Sequence, residues 1–222
     1  MLNRLREIRR WHVERRLLPL LVRPEAGELG TVRVADALLP DGLIAPDWIC
    51  YCAGVGEDIR IERFLAEQIG AAVWAFDPTP RSIRYMATAD YDRTRLHFVP
   101  VGLWREDTTL RFHAPENPAH VSHSVMGRLG GDGHFDAPCR TVRSLMRELG
   151  HTRVDLLKMN IEGAETAVLG AVLADGARPR VIAMTYEGRG ALRQVRAWTL
   201  RLRAEGYRLL GREGWFFTYV RS

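Results

Sequence analysis

The sequence predicts an α/β domain on a mostly parallel central sheet, closed by an antiparallel C-terminal hairpin. Three observations predict it. From Trp48 onward, short apolar runs alternate with helical stretches at the spacing of βαβ units. A glycine loop, Gly54-Val55-Gly56, joins the first of those runs to the first helix. At the far end, Tyr207–Leu210 and Trp215–Val220 are joined only through Gly211–Gly214, a connection too short for anything but antiparallel pairing.

Each element follows in order. Residues 2–18 place Leu2, Leu5, Ile8, Trp11 and Leu17 at helical spacing among arginines, which predicts a basic amphipathic helix ended near Pro19. Between Arg23 and Asp47, the breakers Pro24, Gly27, Gly30, Pro40, Gly42 and Pro46 allow only short strands such as Thr31–Val34. Residues 1–46 are therefore expected as an N-terminal extension and 47–222 as the domain. Trp48–Ala53 is the first strand, and Asp58–Ile69 is a helix stopped by Gly70. Ala72–Phe76 is a second strand ending at Asp77-Pro78, Arg81–Thr88 a helix, and Leu96–Val101 a third strand. Residues 103–138 break the rhythm. Thr108–His113 suits an extra strand, and His120–Phe135, rich in His, Ser and Gly, reads as a mobile loop over the site. Helix Thr141–Leu149, strand Val154–Met159, helix Ala164–Leu173, strand Arg180–Thr185 and helix Ala191–Glu205 then lead to the closing hairpin.

Charge separates the two parts. Residues 1–23 carry seven arginines against Glu7 and Glu14, which accounts for the whole net charge of +5. The rest is electrically balanced, which argues against a nucleic-acid-binding face on the core. The N-terminal helix is expected to pack on the domain or on a partner subunit of a homo-oligomer, or to touch an anionic membrane surface. No apolar run reaches the roughly 18 residues a spanning helix needs. No clean apolar stretch ending in small residues follows the first arginines, so no cleaved signal peptide is expected. Cys50, Cys52 and Cys139 lack metal-site spacing, and two of them share one face of a predicted core strand. That usage suits a reducing cytoplasm.

Three motifs carry chemistry. In the loop Cys52–Asp58, Gly54 and Gly56 permit a tight turn and close approach of a ligand, and the following helix N-terminus can meet an anionic group. The dinucleotide fingerprint wants a third glycine where this chain has Ile59, which argues against a pyrophosphate. Asp77, 23 residues after Gly54, stands at the tip of the second strand, where an acid accepts ribose hydroxyls. The alternative is a cap for the helix beginning near Pro80. The third motif, Asp155 to Glu165, sends Lys158, Asn160 and Glu162 to the carboxyl end of a buried strand. Three alternating polar groups are a poor structural choice there unless something polar sits against them. Capping of the next helix by Asn160 and Glu162 is the bland alternative. Lys158 is also the only lysine among 32 basic residues.

Tyr51–Ile59, Ala75–Pro80 and Leu157–Glu165 together resemble the signature blocks of FkbM-family methyltransferases, in order and spacing. Val99–Leu103, which holds Gly102, and Val121–Ser124 are similar to weaker segments of that family. The resemblance covers roughly residues 47–187. It implies a Rossmann-like class I methyltransferase fold, S-adenosylmethionine as cofactor, and a methyl acceptor that is a hydroxyl of a sugar or natural product. Cofactor contacts are then expected from Cys52, Gly54, Gly56, Glu57, Asp58, Asp77 and Gly102. Catalytic roles are expected among Lys158, Asn160, Glu162 and His123, with Glu187 a further candidate base and no metal. The family usually has Asp where this chain has Asn160, and an amide cannot serve as base. An NAD-dependent oxidoreductase and a non-catalytic cofactor-binding protein remain the competing readings.

Overall fold

The computed structural model describes residues 23–25, 29–115, 130–187 and 190–221. The expected N-terminal helix lies outside them. The parallel part of the main sheet is built from β3 (Ile49–Ala53), β4 (Ala72–Phe76), β5 (Leu96–Val99), β9 (Leu156–Met159) and β10 (Val181–Thr185). β11 (Tyr207–Glu213) and β12 (Phe216–Arg221) add the antiparallel hairpin on the β10 side, giving the order β11-β12-β10-β9-β3-β4-β5. The chain runs outward from β3 through β4 to β5, then returns to place β9 on the other side of β3. Strand order therefore reverses beside β3, the position where open α/β sheets leave a crevice.

Side-chain alternation makes the sheet a middle layer. Tyr51 of β3 faces one core, with α3 (Val142–Glu148), α4 (Glu165–Ala174) and α5 (Ala191–Ala204) packed over it. Cys50 and Cys52 face the opposite core. That core is covered by α1, an α-helical turn Arg60–Arg63 continuing as a π-helical segment Phe64–Ile69, and by α2 (Pro80–Thr88). Gly70 ends α1 in the left-handed conformation, as its place in the sequence predicts. Thr79 caps α2, accepting from Ser82 N, with Pro80 at the first helical position.

The second core has a further cover. β1 (Thr31–Val34) and β2 (Ala37–Pro40) form an antiparallel hairpin in the stretch expected as an extension. Ala37 and Leu39 are fully buried and join the core that holds Cys50 and Cys52, and β2 packs on β11 and β12. A smaller sheet is built from β6 (Gly102–Leu103), β7 (Thr108–Pro115) and β8 (Gly130–Arg140). β8 corrects the reading of 120–135 as loop: residues 130–135 lie in the strand, Gly130, His134 and Phe135 pair with β7, and Phe135 stacks on Phe112 at 5.2 Å.

Candidate functional site

A cavity of about 280 Å³ opens at the carboxyl ends of β3, β4 and β9. It is lined by Gly54, Val55, Gly56, Glu57 and Asp58 of the glycine loop, by Asp77 after β4, by Gly102, and by Lys158, Asn160 and Glu162. The structure thus gathers at one cavity every expected site residue that it describes, except Cys52 and Glu187. The Cys52 side chain is fully buried in the core behind β3, and burial pushes its thiol pKa far up. Cys52 was expected among the cofactor contacts; it is an inert core residue. His123 lies outside the described residues, and Glu187 is not among those lining the cavity.

The glycine loop is held differently from the expectation. Asp77 is nearly buried, and its Oδ2 accepts from Val55 N at 3.0 Å and Gly56 N at 3.1 Å. Its Oδ1 accepts from Thr79 N at 2.9 Å. These two amides of the glycine loop are therefore occupied by the protein's own carboxylate. A carboxylate has about four lone-pair positions, so three backbone bonds leave Asp77 room for one ligand hydroxyl rather than two. The capping alternative for Asp77 is settled as well, since Thr79 is the cap and Asp77 steadies it.

Gly54 has a different reason from the expected one. It sits at φ 82°, and a Cβ there would lie 1.8 Å from the carbonyl oxygen of Asn160. The close approach that demands glycine is made by the strand-tip backbone of β9. Gly56, at φ 56°, has open space where its Cβ would be.

Lys158 holds the same loop from below. Its ammonium donates to Gly54 O at 2.7 Å and to Glu62 Oε1 at 3.2 Å, with both side chains about 5% exposed or less. Burial acts to lower the Lys158 pKa, but the Glu62 carboxylate, with Cys52 and Asp36 adding to it, turns the net shift upward, so the lysine stays charged. Glu62 Oε2 is buried with no hydrogen-bond partner. The lysine's charge is thus neutralised by a residue that does not line the cavity, a partner that sequence spacing does not reveal.

Beyond β9 the chain turns sharply. Glu162 has φ 56° and Gly163 φ 94°. A left-handed non-glycine residue costs about 1–2 kcal/mol, and such strain concentrates at functional sites. Neither Asn160 nor Glu162 caps α4, whose N-cap Ala164 has no side-chain bond. Instead Glu165 Oε1 accepts from Ile161 N at 2.9 Å and lies 2.9 Å from Thr185 Oγ1. Thr185 Oγ1 also lies 3.1 Å from Asn160 Oδ1.

The remaining wall is acidic. Glu57 pairs with Arg81 at 2.5 Å and Asp58 with Arg60, and those guanidinium hydrogen bonds hold both carboxyls below the usual range. Ala35 and Asp36, the turn of the β1–β2 hairpin, also line the cavity, which the sequence did not suggest. Among the described residues five acids line it, Asp36, Glu57, Asp58, Asp77 and Glu162, against Lys158 as the lone cation.

Fold and cavity define an α/β protein with a cavity at the carboxyl ends of a mainly parallel sheet, where open α/β sheets bind their ligands. The family model for the methyltransferase FkbM domain matches residues 51–209, and the chain belongs to that methyltransferase family. No curated protein sequence matches the chain.

Proposed function

We propose that the chain is an S-adenosylmethionine-dependent methyltransferase on a Rossmann-like class I core, acting on a hydroxyl of a sugar or natural product. The observation that carries the cofactor is the sign of the cavity. Among the described residues five acids line it; Arg60 and Arg81 pair with Asp58 and Glu57, and Glu62 neutralises the one lining lysine, so the balance is negative. A ligand bearing a sulfonium and an ammonium suits such walls, and a pyrophosphate does not. The loop amides that a pyrophosphate would need are bonded to Asp77. This favours the methyl donor over a nicotinamide dinucleotide. Asp77 would take one ribose hydroxyl, and Gly56, with open space where its Cβ would be, would let the nucleoside lie close to the backbone.

The bound cofactor supplies a methyl group on sulfur that needs no activation. What remains for the chain is to align the acceptor and to remove its proton. Glu162 is the described residue best placed for the proton, a carboxylate at the cavity on a strained turn. Asn160 orients the acceptor but has no basicity for the transfer. Lys158 fixes the loop rather than the acceptor. His123 remains a candidate from the stretch outside the described residues. Residues 31–40 then belong with the domain, as the hairpin packed on its second core. Three buried free thiols suit a reducing cytoplasm, and among the described residues no helix is long and apolar enough to cross a membrane.

Calorimetric titration of the purified chain tests the reading. S-adenosylmethionine and S-adenosylhomocysteine should bind and NAD should not. Binding of NAD alone would turn the assignment to an oxidoreductase, and binding without methyl transfer to any hydroxyl acceptor would support the non-catalytic alternative.

A further inference from the structure

The β1–β2 hairpin lies wholly outside the family match, which begins at residue 51. Its turn nevertheless lines the same cavity as the glycine loop and Glu162. The turn is held firmly. Ala37 and Leu39, on its far side, are fully buried, Arg33 pairs with Glu213 of β11 at 3.0 Å, and Leu38 packs on Gly211. Among the described residues, two that are not glycine adopt the left-handed conformation, Ala35 at φ 52° and Glu162 at φ 56°. Both line the cavity. At Ala35 the strain is not needed to close a hairpin, since a glycine, asparagine or aspartate in its place would make the turn at lower cost. What the strained turn achieves is to present Asp36 at the cavity mouth.

The charges around Asp36 say which end of a ligand it meets. Asp36 lines the cavity together with Lys158 and Asn160 of the β9 end, and its negative charge acts on Lys158 and on Arg60. Asp77, at the tip of β4, marks the opposite, nucleoside side. A nucleoside seated at Asp77 sends its 5′ substituent toward Lys158 and Asp36. Lys158 is neutralised by Glu62, and Asp58 and Glu57 are engaged by Arg60 and Arg81. Asp36 is the acid on that side for which the cavity's ligand offers the matching charge.

We infer that the hairpin turn Ala35–Asp36 is a wall of the ligand site, and that the Asp36 carboxylate accepts a hydrogen bond from the ammonium at the amino-acid end of the cofactor. This rests on the cofactor reading given above. It assigns recognition of that ammonium to a segment the family domain does not include.

The test is calorimetric and needs no turnover. S-adenosylhomocysteine carries the ammonium, whereas 5′-methylthioadenosine has the same nucleoside and thioether without the amino-acid end. Asp36→Asn should weaken S-adenosylhomocysteine about tenfold or more, as for a charge-assisted hydrogen bond, and leave 5′-methylthioadenosine within about twofold. Because Asp36 is exposed, the variant should melt with the wild type, and melting curves check this. Unchanged affinity for S-adenosylhomocysteine overturns the inference, as does an equal loss for both ligands, which would mean a general change of pocket shape. If the wild-type chain binds neither ligand, the cofactor reading itself has failed; if it binds both and only the Asp36 contrast is missing, the failure belongs to the hairpin alone.

Discussion

The wall of the cavity formed by β3, β4 and β9 differs in its chemistry from the wall formed by the hairpin turn and the residues after β9. On the first, polar groups are committed to one another: Asp77 to three backbone amides, Lys158 to Gly54 O and Glu62, and Gly54 N to Phe76 O. On the second, Asp36 is exposed and the backbone is strained at Ala35 and Glu162. One wall uses its charges to set the shape of a loop, and the other leaves them turned toward a ligand. Substitutions in the first should therefore be read in stability, and substitutions in the second in binding and turnover.

The largest expected effect breaks the buried pair. Lys158→Met leaves Glu62 charged and unpartnered in the core, at a cost of about 3–5 kcal/mol in urea denaturation. Replacing both, Lys158→Met with Glu62→Leu, should recover most of that loss, because hydrophobic pairs often match buried ion pairs. A single variant as stable as the wild type would erase the distinction between the walls. Gly54→Ala comes next. The added methyl group meets the Asn160 carbonyl at an impossible distance, on a backbone at φ 82°. A loss of about 2–4 kcal/mol is expected, with cofactor affinity falling alongside as the β9 tip moves.

How much of this was visible in the sequence follows the same divide. The strands around β3, the antiparallel closing hairpin and the gathering of Asp77, Asn160 and Glu162 at one cavity could be read, because each depends on local pattern and strand direction. Cys52 could not be placed, since alternation assigns Cys50 and Cys52 to one face without saying which face meets the ligand. The Lys158–Glu62 pair and the Asp77–loop bonds join residues far apart in sequence, and no spacing rule gives a carboxylate's partner. β8 was missed for a different reason. Gly130, Gly131 and Gly133 are poor strand formers, and pairing with β7 overrides their preference. The hairpin turn reaches the cavity only because Ala37 and Leu39 find room in the second core, a tertiary fact with no local signature.

On the second wall the sign of the effect should reverse. Glu162→Gly removes the side chain that makes φ 56° costly, so stability should rise by about 1 kcal/mol, visible as a higher melting temperature. Methyl transfer should fall at the same time, because the proposed base is gone. Glu162→Gln keeps the strain and removes only the basicity, so it should lose turnover at unchanged stability. If Glu162→Gly melts lower than the wild type, the strained turn is there to serve packing, and the comparison of the walls loses its second half.

The smallest effect concerns the hinge between the walls, where Thr185 meets both Asn160 and Glu165. One hydroxyl hydrogen cannot serve two acceptors at once. The count closes when Asn160 presents its amide nitrogen to Thr185, or when Glu165 carries a proton. Burial pushes the Glu165 carboxyl pKa above its ordinary 4.5, against the bonds from Ile161 and Thr185 that lower it. A carboxyl whose folded pKa is raised contributes its stability in full below the unfolded value and loses it as pH rises through the folded one. Glu165→Gln keeps an acceptor for Ile161 and cannot ionise. Its stability relative to the wild type should therefore improve as pH rises from about 4.5 through the neutral range, read as the difference between urea midpoints. A difference that stays flat with pH would mean that Glu165 ionises in the folded chain as easily as in the unfolded one, and that Asn160 alone supplies the missing hydrogen. In that case the amide, where the family usually has an acid, is what lets the carboxylate of Glu165 remain charged beneath the site.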